Sequence, residues 1–453
     1  MLLEELKTLV KYTLPVYGTH LLEHSLILAS VVSIGHLSTI ALAASTLGFM
    51  TVNVTGFSIV QGLASTLDTL LPGAWTSEHP QLVGLWTQRM IVVGAATMFP
   101  ILAIWFNSEP ILLLLRQDPE VAHLASVYLK WESLGLPAYT FNCISRRYFQ
   151  AQGLFAVPTR IIIAVAPINI LLNYLLVWGP EPIRLGFIGA PIATSISYNL
   201  ISIASIVYGV WFVDKRAWHP ISRRCLSNLG IVVKLGFAGV GQVASEWWSW
   251  ELSGLGCRLG PTALAAQSVL LSSASTTFQA PFALSVATSV RVGNLLGEAR
   301  GRRAGISANA SIVTTFIVFR NKWAYLFNSD TEVVHLVASV LPLVALFQVF
   351  DGICGVTAGI LRARGMQFTG AVLNLSAYYV VGIPFGVFLT LKRDMGLQGL
   401  WIGITVALVY GAAVSLWLCL RSDWEKEVRK VRERLEVDKK AMIAETVAAE
   451  GDV

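Results

Sequence analysis

The chain has 453 residues, 55% of them hydrophobic and only 13% charged, and a mean hydropathy of +0.64. Soluble domains carry roughly 25% charged residues, so a water-soluble globular fold is excluded. The net charge of +6 does not mark a nucleic-acid partner either, because the basic residues cluster between apolar runs, which is a topological pattern.

In chain order, apolar runs and polar breaks predict an all-α polytopic membrane protein of twelve spans. The first six fall at 14–34, 40–70, 83–106, 121–145, 159–178 and 187–212. The second six fall at 230–256, 262–290, 304–319, 332–358, 368–391 and 397–420. Most of these runs are long enough to cross a ~30 Å hydrocarbon layer, and the alternating ten-residue segments of a transmembrane β-barrel are absent from the sequence. The predicted organisation is an N-lobe over 1–213, a linker over 214–229, a C-lobe over 230–420 and a charged tail over 421–453. Arg146, Arg147, Arg160, the linker, Arg300, Arg302, Arg303, Arg362, Arg364 and the tail all fall on one side. The positive-inside rule makes that side cytoplasmic, with both termini on it. The tail reads as a solvated or membrane-surface helix. The cysteines at 143, 225, 257, 354 and 419 lack metal or redox spacing. GFAGVG (236–241) follows no strand and reads as a close helix contact.

The halves repeat. IALAAS (40–45) returns as TALAAQ (262–267), RQDPEV (116–121) as NSDTEV (328–333), and YFQAQG (148–153) as ILRARG (360–365). Two pseudo-symmetric six-helix bundles follow, with a substrate site expected between them near mid-membrane. Leu71 pairs with Leu295, yet Asp118 pairs with Asp330, so the second half has lost about twelve residues between those points. The loss falls on the ninth span. At 1.5 Å per residue its sixteen residues (304–319) reach only ~24 Å. A shortened ninth helix is therefore expected.

Acidic residues inside spans are costly, about 2.5–3.5 kcal/mol each at a helix centre, and so mark candidate sites. They are Glu23, Asp68, Glu246, Glu251 and Asp351. Glu132 reads as a surface group near an external helix end, and Glu23, between His20 and His24, as a proton-accepting cluster or a satisfied polar triplet. In SEWWSWE (245–251), Glu246 shares a helical face with Trp250 and Glu251 shares one with Trp247, as i,i+4 pairs do. A carboxylate beside an indole face suits an organic cation.

The chain resembles the eukaryotic, fungal-type multidrug and toxic compound extrusion (MATE) transporters. The resemblance runs from about residue 4 to 434. It rests on IGHLSTIALAAS (34–45), QGLASTLDTL (61–70), SEWWSWE, LAAQS (264–268), RVGNLLGEAR (291–300) and GILRARGMQFTGAVLNLSAYYVVGIP (359–384). It implies efflux of small organic cations and other xenobiotics from the bilayer-embedded protein, driven by inward H+ or Na+, with no other cofactor. It also implies that Glu246, Glu251 and Asp351 line the C-lobe cavity, with Asp68 contributing from the second helix. The departures are Leu71–Pro72–Gly73–Ala74 where the family has a Gln-Ala pair, Ser272 in place of an acid, and the short ninth span. The expectation is a non-enzymatic monomer in the plasma or vacuolar membrane, with no nucleic-acid partner and no bound metal. A lipid-linked precursor flippase, or a non-transporting remnant, are the alternatives.

Overall fold

The computed structural model describes residues 2–255, 261–318, 331–393 and 395–451, with some side chains inside helices outside that description. The described chain is helical, and no β-strand occurs among the described residues. Its helices are α1 (Leu2–Gly35), α2 (Thr39–Val52), α3 (Ser58–Ala64), α4 (Leu67–Trp75), α5 (Leu82–Phe106) and α6 (Ser108–Leu114). There follow α7 (Pro119–Glu132), α8 (Leu136–Ala151), α9 (Ala156–Trp178), α10 (Gly189–Phe212), α11 (Leu229–Leu255) and α12 (Pro261–Gly297). The last are α13 (Gly301–Val318), α14 (Thr331–Ala363), α15 (Gln367–Leu375), α16 (Ile383–Lys392), α17 (Gly396–Leu420) and α18 (Trp424–Gly451).

These helices overlay the expected spans. Eight of the described runs are long and apolar enough to cross a membrane, among them Ile40–Trp75, which joins α2, α3 and α4. Two expected spans contain π-helical turns, Asn53–Phe57 in the second and Ser376–Gly382 in the eleventh. Such bulges free backbone groups and concentrate at functional positions. The shortening expected of the ninth helix turns on residues 319–330, which lie outside the described residues; the helix itself is described over Gly301–Val318.

The chain forms two compact units. The N-terminal unit comprises Gly18–Leu67 and Gln81–Lys234, and the C-terminal unit comprises Met1–Tyr17, Asp68–Pro80 and Leu235–Val453. This division differs from the expected lobe boundaries at three places: residues 1–17 and 68–80 group with the second half, and 214–234 with the first.

The N-terminal unit presents apolar side chains outward and keeps polar ones within its interior. Phe99, Ile170, Tyr174 and Trp211 are exposed, while Asn169, Asn173, Thr194 and Ser197 are buried. Ser30 Oγ donates to Asn173 Oδ1 at 3.2 Å, and Asn169 Nδ2 donates to Ser197 Oγ at 2.9 Å. In hydrocarbon, burying apolar side chains brings no hydrophobic gain, so close packing, small residues and interhelical hydrogen bonds hold the helices together. At the π turn, Trp105 Nε1 donates to Thr55 Oγ1 at 2.8 Å. A Cβ on Gly56 would lie 2.5 Å from the Trp105 ring, so glycine is what lets α5 approach there.

The C-terminal unit uses the same logic. A Cβ on Gly403 would lie 2.6 Å from the Gly382 carbonyl and collide with Gly386, so α16 and α17 meet backbone to backbone. A Cβ on Gly241 would lie 3.1 Å from the Ala371 methyl, which gives GFAGVG its close helix contact. The first residues of the chain are tied in by charge. Glu5 accepts from Arg291 Nε and Nη2, each at 2.8 Å, and from Arg303 Nε at 2.6 Å. Burial pushes the Glu5 carboxyl up, but the hydrogen bonds and charges of the two arginines outweigh it and hold it below the ordinary carboxylate range.

The tail is not wholly solvated. Helix α18 buries Glu427, Val428 and Val431. Glu427 Oε1 accepts from Arg364 Nη2 at 3.1 Å and from Lys430 Nζ at 3.1 Å.

Candidate functional site

Helix α11 carries Glu246 half-buried, with its carbonyl accepting from Ser249 Oγ at 2.7 Å. The π turn stands beside it, and Tyr379 donates its hydroxyl to the Ser245 carbonyl at 3.2 Å. Asn374, a turn earlier, donates to the Gln242 carbonyl at 2.9 Å. Helix α14 supplies Asp351, which is 3% exposed. The Asp351 and Glu246 carboxyls lie close enough for their charges to interact, and the Tyr378 phenol, also buried, interacts with both. Two acids from separate helices therefore lie within range of each other's charge and of an aromatic hydroxyl.

Arg362 closes the site. Sequence reasoning counted it among the charges that set topology, yet it is buried and its charge acts on Glu246. Arg362 Nε lies 3.4 Å from Asp68 Oδ2, with both side chains under 10% exposed. Its Nη2 donates to Ser285 Oγ at 2.9 Å, and its carbonyl accepts from Thr69 Oγ1 at 2.5 Å. Gln367 Nε2 in turn donates to Thr69 Oγ1. Asp68 thus faces Arg362. The signal that would have exposed Arg362 was its place in α14, eleven residues or about three turns after Asp351.

Trp247 is half-buried and Trp248 is 38% exposed. Glu251 and Trp250 belong to α11, but their side chains lie outside the described residues, so the expected Glu246–Trp250 and Glu251–Trp247 faces are not described.

The N-terminal unit holds its own ionisable cluster. Arg146 Nη2 donates to Glu23 Oε1, and His20 Nδ1 lies 3.5 Å from Glu23 Oε2. The polar-triplet reading of Glu23 had placed both flanking histidines around it; the structure adds Arg146, 6% exposed, which sequence had counted among the charges that set topology. Arg147 Nη2 donates to Gln61 Oε1 at 3.2 Å, and Gln61 Nε2 donates to the Tyr139 hydroxyl at 3.2 Å. Tyr139 stacks on Phe57 at 3.8 Å. Glu132 corrects the sequence reading outright, because it is 3% exposed and not a surface group.

A helical membrane protein that gathers arginine and carboxylates in the interiors of its two units has the construction of a membrane transporter, since such groups are retained in lipid chiefly where they serve a pathway. The MatE family's sequence model matches residues 15–175 and 240–388. An uncharacterized transporter of Schizosaccharomyces pombe is 39% identical over 436 residues, covering 93% of this chain and 80% of that one. Human multidrug and toxin extrusion protein 1 is 32% identical over 446 residues, covering 95% and 77%. The crystal structure of the eukaryotic MATE transporter AtDTX14 superimposes with a TM-score of 0.89 at 32% identity, covering 96% of this chain and 99% of that one. This chain belongs to the MATE family of membrane transporters.

Proposed function

We propose that the protein is a secondary active exporter of small organic cations and other xenobiotics, exchanging them for inward-moving H+ or Na+ by alternating access of lobes spanning 1–213 and 230–420. The observation that carries this reading is the meeting of Glu246 and Asp351 beside Tyr378. Two interacting acids, one buried and one half-buried, resist holding two negative charges at once, so they are disposed to take up a proton, a sodium ion or a substrate cation. Because the same carboxyls would serve driving ion and substrate, each would lower the affinity for the other.

The Asp68–Arg362 pair supports the same reading. Left alone, Arg362 would repel a cation from the cavity, but Asp68 at 3.4 Å offsets its charge. The negative charge of Glu246 and Asp351 then remains for the incoming ligand. In this proposal the protein works as a monomer in the plasma or vacuolar membrane with cytoplasmic termini, and Glu251, Trp247 and Trp250 extend the site along α11. The test is pH-gradient-driven efflux of a fluorescent organic cation from vesicles carrying wild-type or Glu246→Gln protein, repeated with a sodium gradient. Loss of gradient-driven efflux at matched protein levels is the expected result, and unchanged efflux overturns the role given to Glu246.

A further inference from the structure

Glu132 is the one acid of the N-terminal unit's interior whose described surroundings offer it no counter-charge. It is 3% exposed, and its Oε2 is fully enclosed without a hydrogen-bond partner. No ion pair among the described residues includes it. Glu23, in the same unit, has Arg146 and His20. Glu132 ends α7, the fourteenth residue from Pro119, which at 1.5 Å per residue places it about 20 Å along the fourth span.

The backbone is irregular at that point. Residues 133–135 form turns, with Leu134 N donating to the Trp131 carbonyl at 3.3 Å and Gly135 N donating to the Glu132 carbonyl at 2.9 Å. Helix α10 comes close enough that a Cβ on Gly135 would lie 2.9 Å from Ser195 Oγ. The fourth span is thus two helices joined at the carboxyl, and tightened mid-helix turns of this kind mark hinges.

The groups facing Glu132 are phenols. Tyr128 lies one turn earlier on α7, and Tyr198 of α10 is near enough for the Glu132 charge to act on its phenol, as it does on that of Tyr128. Tyr198 packs edge-on against Tyr139 at 5.4 Å and lies 6.2 Å from Phe57 of the π turn. Helix α2, which also packs on α7, carries no titratable side chain. On α5 the single charge is Arg89, bonded to Ser227 at 2.9 Å. On α6, Glu109 is engaged by His123 at 3.1 Å and by Ser126. None of these supplies the cation that an ionised Glu132 would need in so dry a setting.

We propose that Glu132 is a proton-binding site of the N-terminal unit, distinct from Glu246 and Asp351, which exchanges its proton during the transport cycle. A metal cation is disfavoured because the turn carbonyls nearby are already engaged, Glu132's by Gly135 and Trp131's by Leu134 and Ser195. One carboxyl and two phenols do not build the oxygen cage a bound metal requires.

The binding can be tested on the purified transporter without any transport. A hydrophobic carbodiimide reacts with protonated buried carboxyls, and peptide mass spectrometry reads modification of Glu132 against pH. A titrating group predicts labelling that falls about tenfold per pH unit above its midpoint. Labelling that is absent at acid pH, or constant across pH, overturns the proposal. The exchange step rests on the antiport reading above and is tested separately. Glu132→Gln keeps the shape of the protonated acid, and Glu132→Asp keeps a titrating group if the glutamine variant folds poorly. Expected for Glu132→Gln is a flattened pH profile of efflux, with binding of the fluorescent cation unchanged and Glu132→Asp retaining a pH-dependent profile. A profile identical to wild type means a permanently protonated structural acid and sinks the exchange. Failure of the antiport reading itself appears instead as loss of gradient-driven efflux in every variant and in wild type.

Discussion

Replacing Glu5 with glutamine would test how the beginning of the chain is held. The Glu5 side chain is fully buried and accepts three hydrogen bonds, two from Arg291 and one from Arg303. An amide in its place keeps the shape but leaves two guanidinium groups without their shared counter-charge. Removing one partner of a buried ion pair costs about 3–5 kcal/mol. Arg291 and Arg303 are 15% and 32% exposed, so water can recover part of that, and a loss of about 3 kcal/mol is expected, at the low end of the range.

The pH dependence supplies a sign. The folded carboxyl lies below its ordinary value of 4.5, so the stabilisation is complete above that value and is lost as pH falls through the lower folded one. Denaturant titration in mixed micelles at neutral pH should show the full difference between wild type and Glu5→Gln. As pH falls through the lowered folded value the two curves should converge, because wild type then loses the same charge. A neutral-pH difference below about 1 kcal/mol, the range of exposed ion pairs, would refute the reasoning, as would curves that run parallel at all pH values.

Three further outcomes are expected. Gly403→Ala places a methyl against the Gly382 carbonyl and the Gly386 backbone, and should lower stability by about 1–3 kcal/mol, read as a lower melting temperature in detergent. Asp68→Asn removes the carboxylate 3.4 Å from Arg362 and should raise the KM for a cationic substrate, while Asp68→Asn with Arg362→Gln returns it toward wild type; no difference between the single and double variants would disprove the charge-balancing role. Glu427→Gln leaves Arg364, 7% exposed, without that carboxylate, and limited proteolysis should cut α18 at a severalfold higher rate, with the cut rate of Lys430→Gln, at an exposed pair member, near that of wild type.

Much of this protein was legible in its sequence because lipid imposes simple rules. A chain that must satisfy its backbone hydrogen bonds without water forms helices, and their apolar runs are visible by length alone, which is why the spans overlay the described helices. Acids inside such runs stand out by cost, and Glu246 and Asp351 were singled out that way. Three things required tertiary structure. Arg146 and Arg362 were assigned to the cytoplasmic edge because positive charge near a span end sets topology, and only packing shows them turned inward to Glu23 and Asp68. Glu132 was read as surface because it lies near an external helix end, and only the neighbouring helices reveal it as enclosed. The grouping of residues 1–17 and 68–80 with the C-terminal half depends on contacts hundreds of residues apart, such as Glu5 with Arg291. Hydropathy is a property of one segment at a time, whereas a buried charge is explained by its partner, and the partner is chosen by the fold.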